Sequence, residues 1–167
     1  KTLVNNEKIQ ANGNIHIRSK NIESENIFAN HVTINTDTIE SNKIITQGNI
    51  DIHAQKIKNR GKTYSKENTN IVAKEIENLG EMTSSGKIDI DTTKMDTNKI
   101  LAKQDIHIKA KKLKTKEKIY SENNITINSD EIENHKDMLA LGNIHMENKT
   151  LINHESIQAN GNITIKS

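Results

Sequence analysis

The sequence predicts an all-β fold, a parallel β-solenoid (β-helix) of about nine coils with three short strands in each, on three observations. A unit of about nineteen residues, apolar-x-small-x-turn-x-Ile-x-Ile-x(4)-apolar-x-Asn/Ser/Thr, repeats from end to end. Its first apolar position falls at Ile9, Ile27, Ile44, Thr63, Met82, Ile100, Ile119, Met138 and Ile157. Within the unit apolar residues alternate with period two, as in Ile9 and Ala11 and again in Ile15 and Ile17. Such pairs share one face of a strand, and the pattern disfavours helix. Proline is absent, as expected where nearly every residue belongs to a hydrogen-bonded ladder. A fixed short period marks an architecture in which each unit buries its apolar face only by stacking on its neighbours.

Taken in order along the unit, the first strand carries a small residue at its third position, as at Ala29, Thr46, Ser65, Ser84, Ala102, Ser121 and Ala140. This column is expected to face inward, where a larger side chain would overpack opposing walls. The turn that follows holds Gly13, Gly48, Gly86, Gly142 and Gly161, read here as residues that tolerate positive φ. In the second unit that turn is one residue shorter, so Asn30 and His31 must bend more tightly. The paired-Ile strand gives two ladders, Ile50, Thr69, Ile88, Ile106 and Ile52, Ile71, Ile90, Ile108 in the middle coils. β-branched side chains of this kind suit a pleated surface. The third strand begins at the last apolar column (Ile22, Ile39, Ile57, Ile76, Met95, Leu113, Ile132, Leu151) and ends two residues later in Ser24, Ser41, Asn59, Asn78, Thr97, Thr115, Asn134 and Asn153. A stack of amides and hydroxyls at a bend is expected to bond to backbone and to its neighbours above and below. Thr63, Ser65 and Thr69 replace three inward positions of one coil, and local softness is expected there.

Composition sets bounds on function. The 167 residues are 32% hydrophobic, 2% aromatic and 28% charged, with a formal net charge of +2. The chain is globally polar, but its apolar residues keep register rather than scatter, which argues against disorder. No apolar run approaches the length of about 18 residues that spans a bilayer, and no membrane span is expected. Cysteine is absent, so disulfides and thiolate metal sites are excluded. Residues 1–167 read as one uninterrupted repeat array without caps. They start in mid-repeat, Leu3 and Asn5 matching Leu151 and Asn153, as expected of a piece of a longer chain.

Three surface features are candidates for function. The outward column between the first and third positions reads Phe28, Ile45, Tyr64, Thr83, Leu101, Tyr120 and Leu139, with Gln10 and Gln158 at its ends, and holds every aromatic residue of the chain. Contiguous exposed apolar surface marks a contact site, so Phe28, Ile45, Tyr64, Leu101, Tyr120 and Leu139 form a candidate partner-binding stripe. The plainer reading is a cross-strand ladder that stiffens the sheet. Second, Lys109, Lys111, Lys112, Lys114, Lys116 and Lys118 form a basic corner suited to sulfated sugars, lipopolysaccharide phosphates or other polyanions, or else a solvated edge that discourages lateral aggregation. Arginine is confined to Arg18 and Arg60, and no nucleic-acid partner is expected. Third, Asp51, Asn70, Asp89 and His107 occupy one outward column on consecutive coils, and His135 and His154 stack beside Asn134 and Asn153. Columns at about 4.8 Å spacing converge poorly on one ion; no metal, cofactor or catalytic residue is assigned.

Written from the last apolar column, the consensus is Ile-x-Asn-x-Gly-x-apolar-x-Ala/Ser-x-Gly-x-Ile-x-Ile, carried by Ile57, Asn59, Gly61, Thr63, Ser65 and again by Ile76, Asn78, Gly80, Met82, Ser84, Gly86, Ile88, Ile90. The pattern resembles the filamentous haemagglutinin repeats of bacterial two-partner secretion exoproteins, a family of haemagglutinins, adhesins, haemolysins and contact-dependent inhibition toxins, over essentially the whole chain. Some turn glycines are replaced, as by Glu67 and Gln104. The resemblance implies a right-handed parallel β-helix, export through an outer-membrane transporter, and a secreted or surface-exposed stalk or adhesive segment on a Gram-negative bacterium. A receptor or glycan on a host or neighbouring cell would be its partner. The expectation is therefore a non-catalytic structural or adhesive segment. Two alternatives stay open: the stalk of a contact-dependent growth inhibition toxin, and a fragment of a carbohydrate-active β-helix enzyme like the polysaccharide lyases. Those enzymes build a cleft from long loops, which these repeats do not supply.

Overall fold

In a computed structural model describing residues 1–167, the chain is all β, and its strands join in one continuous sheet wound into stacked coils. Every strand pairs in parallel with the equivalent strand of the next coil. The coil that starts at Ile144 shows the three strands separately, as Ile144–Glu147, Thr150–Asn153 and Ile157–Ala159. Elsewhere neighbouring strands run together through a corner, as in Asn21–Ala29 or in Thr69–Ser84, which traverses a whole coil. About nine turns of chain result, as the period predicts.

The core is a column of stacked isoleucines. Ile27, Ile34, Ile50, Ile88, Ile100 and Ile106 are fully buried and belong to one cluster that runs the length of the stack. The small third-position column is also inward, with Ala29, Thr46, Ser65, Ser84, Ala102, Ser121 and Ala140 all buried. Another inward column lies at the corner between the paired-Ile strand and the next, at Ala73, Thr92, Ala110, Ser129 and Asn148. Its mixture of Ala, Thr, Ser and Asn hides its periodicity in the sequence.

The polar residues inside are joined to one another. Asn59 donates to the Asn78 carbonyl oxygen at 2.6 Å, and Asn78 donates to the Thr97 hydroxyl at 2.9 Å. Thr115 bonds to Asn134, which donates to Asn153 at 2.7 Å. The amides also reach the turn backbone, Asn59 to the Gly61 carbonyl at 3.1 Å. In the coil of Thr63, Ser65 and Thr69 all three side chains are buried. The Ser65 and Thr69 hydroxyls lie 2.7 Å apart, and Ser65 donates to Ser84 at 3.0 Å, so at Thr69 a hydroxyl network stands where the other coils place an aliphatic side chain.

The glycines act differently from the expectation. No residue of the chain, glycine included, has positive φ. What the turns need is room between coils. A Cβ on Gly142 would fall 2.5 Å from the Asn124 side-chain oxygen, and one on Gly80 only 1.9 Å from the Gly61 carbonyl oxygen. Coils stacked at strand spacing bring successive turn backbones almost into contact, and a side chain pointing along the stack has no space. The short second-unit turn is present at Asn30 and His31, between strands Asn21–Ala29 and Val32–Asn35. His31 Nδ1 there accepts from the Asn49 backbone N–H at 2.9 Å.

Candidate functional site

The surface of a straight stack is a set of columns, and the strand register fixes which residues share one. Gln10, Phe28, Ile45, Tyr64, Thr83, Leu101, Tyr120, Leu139 and Gln158 pair coil by coil without a break. The six candidate stripe residues therefore form one ladder. Each from Phe28 to Leu139 is half-buried, because its neighbours above and below cover its flanks. The Thr83 hydroxyl, between Tyr64 and Leu101, is enclosed and makes no hydrogen bond. Lysines border the ladder: Lys62 Nζ lies 5.7 Å from the Tyr64 ring centre and Lys118 Nζ 5.1 Å from that of Tyr120, within reach of cation–π attraction. The Tyr64 hydroxyl also lies 3.3 Å from that of Ser85.

The lysine corner is less free than its sequence implies. Lys109 pairs with Asp91 at 3.3 Å, Lys112 with Glu131 at 2.9 Å, Lys114 with Glu133 at 2.9 Å and Lys116 with Asp96 at 2.9 Å. Each acid sits one coil away, so carboxylates of the adjoining coils neutralise four of the six cations. Lys118 covers Tyr120, and Lys111 is exposed without an ion pair. The same pattern spans the molecule, as where Glu81 bridges Lys62 at 3.4 Å and Lys99 at 3.0 Å. Burial alone would raise the Glu81 pKa, but the hydrogen bonds and charges of Lys99 and Lys62 together hold it below its ordinary value.

The column of acids and histidines resolves into separate pairs. Asn70 donates to Asp51 at 2.7 Å, and His107 Nδ1 lies 2.8 Å from Asp89. These contacts use up the groups two by two and build no shared centre.

A tighter cluster formed where sequence reasoning saw only a histidine pair. The His135 and His154 rings stack with centres 4.6 Å apart and planes 16° from parallel. Glu133, two residues before His135, joins them through a 2.6 Å contact between its Oε1 and His135 Nε2. One donor atom from each of the three lies within 4.8 Å of the others. The Glu133 carboxyl is held below its ordinary pKa by hydrogen bonds from Lys114 and then His135. The nineteen-residue separation of the two histidines was the legible signal; Glu133 was hidden among many outward carboxylates.

A further ladder, absent from the sequence reading, runs along the turn before the paired-Ile strand. The side-chain oxygens of Asn49, Asn68, Asn124 and Asn143 accept from the backbone N–H of Asn68, Lys87, Asn143 and Asn162, at 2.7 to 2.9 Å. This ladder explains the neighbouring glycines, since a Cβ at Gly86, Gly142 or Gly161 would collide with the accepting oxygen. Comparison with family models, with curated proteins and with solved structures finds no match to the chain.

Proposed function

We propose that this chain is a rigid, non-catalytic filament segment of a secreted bacterial exoprotein of the filamentous haemagglutinin type, which makes contact with host or neighbouring cells through one face. The observation that carries the adhesive part is the unbroken ladder from Phe28 to Leu139 on a surface otherwise laced with ion pairs. A column that a stack of polar coils keeps in register over seven levels, and that is interrupted only by Thr83, is surface of the kind partners bury. The filament part is supported by the short turns, such as Asn30 and His31 between strands, which leave the outer faces without loops to wall a cleft. Export through a two-partner outer-membrane transporter, and with it a place on or outside a Gram-negative cell, belongs to the same reading and rests on the repeat resemblance.

The test replaces Tyr64, Leu101 and Tyr120 together by serine. Beads coated with the wild-type chain are expected to adhere to cultured epithelial cells or to neighbouring bacteria, and beads carrying the triple variant to lose most of that adhesion while circular dichroism stays unchanged. Equal adhesion by two equally folded proteins overturns the stripe as the contact site.

A further inference from the structure

We propose that Glu133, His135 and His154 form a surface Zn²⁺ site that clips two adjacent coils together. The placement follows from the coil register. Asn134 is buried and Asn153 lies directly beneath it on the next coil, the two amides joined at 2.7 Å. With Asn134 pointing inward, Glu133 and His135 on either side of it both reach the surface, and His154 repeats the His135 position one coil on. The two turns have the same length and stack residue upon residue: His135 on His154, Lys136 opposite Glu155 at 3.8 Å, and Asp137 accepting from the Ser156 hydroxyl at 2.5 Å. This in-register turn holds the two imidazoles face to face.

The donor set suits the metal. Two imidazole nitrogens and one carboxylate oxygen are a common zinc set that leaves the fourth tetrahedral position to water. Magnesium and calcium prefer all-oxygen shells. Ligand atoms about 2.0 to 2.2 Å from Zn²⁺ in tetrahedral geometry stand roughly 3.3 to 3.6 Å apart. Here the Glu133 to His135 contact is 2.6 Å and no pair in the set of donor atoms exceeds 4.8 Å. Binding requires the two stacked rings to tilt so that their in-plane nitrogen lone pairs converge on the ion, a movement open to His154, which is exposed, and to the other two, which are half-exposed.

The surroundings set the competition. Lys114 Nζ holds Glu133 Oε1 at 2.9 Å, so the ammonium and the metal contend for one carboxylate. Lys116 is turned away towards Asp96 at 2.9 Å, and Lys136 is drawn to Glu155, which leaves Lys114 as the cation directly in contact.

The purified chain, freed of metal with EDTA and titrated with Zn²⁺ by calorimetry, is expected to bind one ion and to melt at a higher temperature in its presence, since a ligand specific for the native state stabilises it. Co²⁺ in place of Zn²⁺ is expected to give the visible absorption of a tetrahedral site. His154→Ala and Glu133→Gln should each weaken binding at least tenfold while their dichroism in EDTA matches the wild type. Lys114→Met, which removes the competing ammonium, should tighten it. No binding at about 100 μM Zn²⁺ overturns the site. So does undiminished binding by both His154→Ala and Glu133→Gln, which would assign the metal to the other surface histidines.

Discussion

Asn78 shows how single residues hold this fold. Its amide accepts from Asn59 and donates to Thr97, linking three consecutive coils from a fully enclosed position. Removing it leaves the Asn59 and Thr97 groups short of a partner, and an unsatisfied buried polar group costs about 1 to 3 kcal/mol. Asn78→Ala is expected to lower stability by that amount, measured by urea unfolding, with the fold retained. Glycine gives a paired prediction at the same scale. Gly80→Ala drives a Cβ to 1.9 Å from the Gly61 carbonyl, whereas a Cβ on Gly13 meets nothing within 4 Å. Overpacking of this kind costs about 1 to 3 kcal/mol, while Gly13→Ala should stay within about 0.5 kcal/mol of wild type. Equal effects at the two positions would contradict close approach of the coils as the reason glycine stands at these corners and turns. These residues were partly legible. The inward Asn/Ser/Thr column was visible as a repeating polar position after an apolar one, but the glycine role was misread, because a turn glycine looks the same in sequence whether it supplies positive φ or merely lacks a Cβ.

Between coils, ion pairs join the outer faces as the amide ladders join the inner ones. Glu81 lies between Lys62 and Lys99 on the coils either side. Its carboxyl has a depressed pKa in the folded chain, so the native state favours the ionised form more than the unfolded chain does. Its contribution to stability is complete above the unfolded pKa and is lost as pH falls through the folded one. Glu81→Gln is expected to flatten the acid limb of the melting-temperature profile; an acid limb identical to wild type would remove Glu81 from that role. The lysine corner belongs to this scale too. A run of alternating lysines reads as free positive charge in one dimension, yet the adjacent coils bring Asp91, Asp96, Glu131 and Glu133 against it. Those acids lie eighteen to twenty residues away, beyond any local pattern.

As a whole the molecule is a one-dimensional stack, and its stability is a sum over coils and their interfaces. Excising one complete coil, residues 88–105, joins Lys87 to Ile106 with every column in register. The shortened chain is expected to fold, with a maximum dimension in solution scattering smaller by about 4.8 Å. Deleting only residues 88–96 sets inward positions against outward ones and is expected to abolish the cooperative transition in circular dichroism. A folded half-coil deletion would show that register is not what the stack depends on. The stripe is also a whole-molecule property, since only the parallel register turns residues eighteen or nineteen apart into one surface.

The nineteen-residue period, the alternation within it and the absence of proline determined the solenoid, its coil count, its isoleucine core and the columns that could be drawn, because each unit meets the same neighbours and local pattern therefore repeats as global structure. Only the tertiary structure decided how neighbouring coils treat one another: which lysines are neutralised, that glycines make room rather than positive φ, that a second asparagine ladder runs along the turns, and that Glu133 meets His135 and His154. Those outcomes depend on distances of a few ångströms between residues a full coil apart, and a linear sequence records which side chains face each other there without recording how closely they meet.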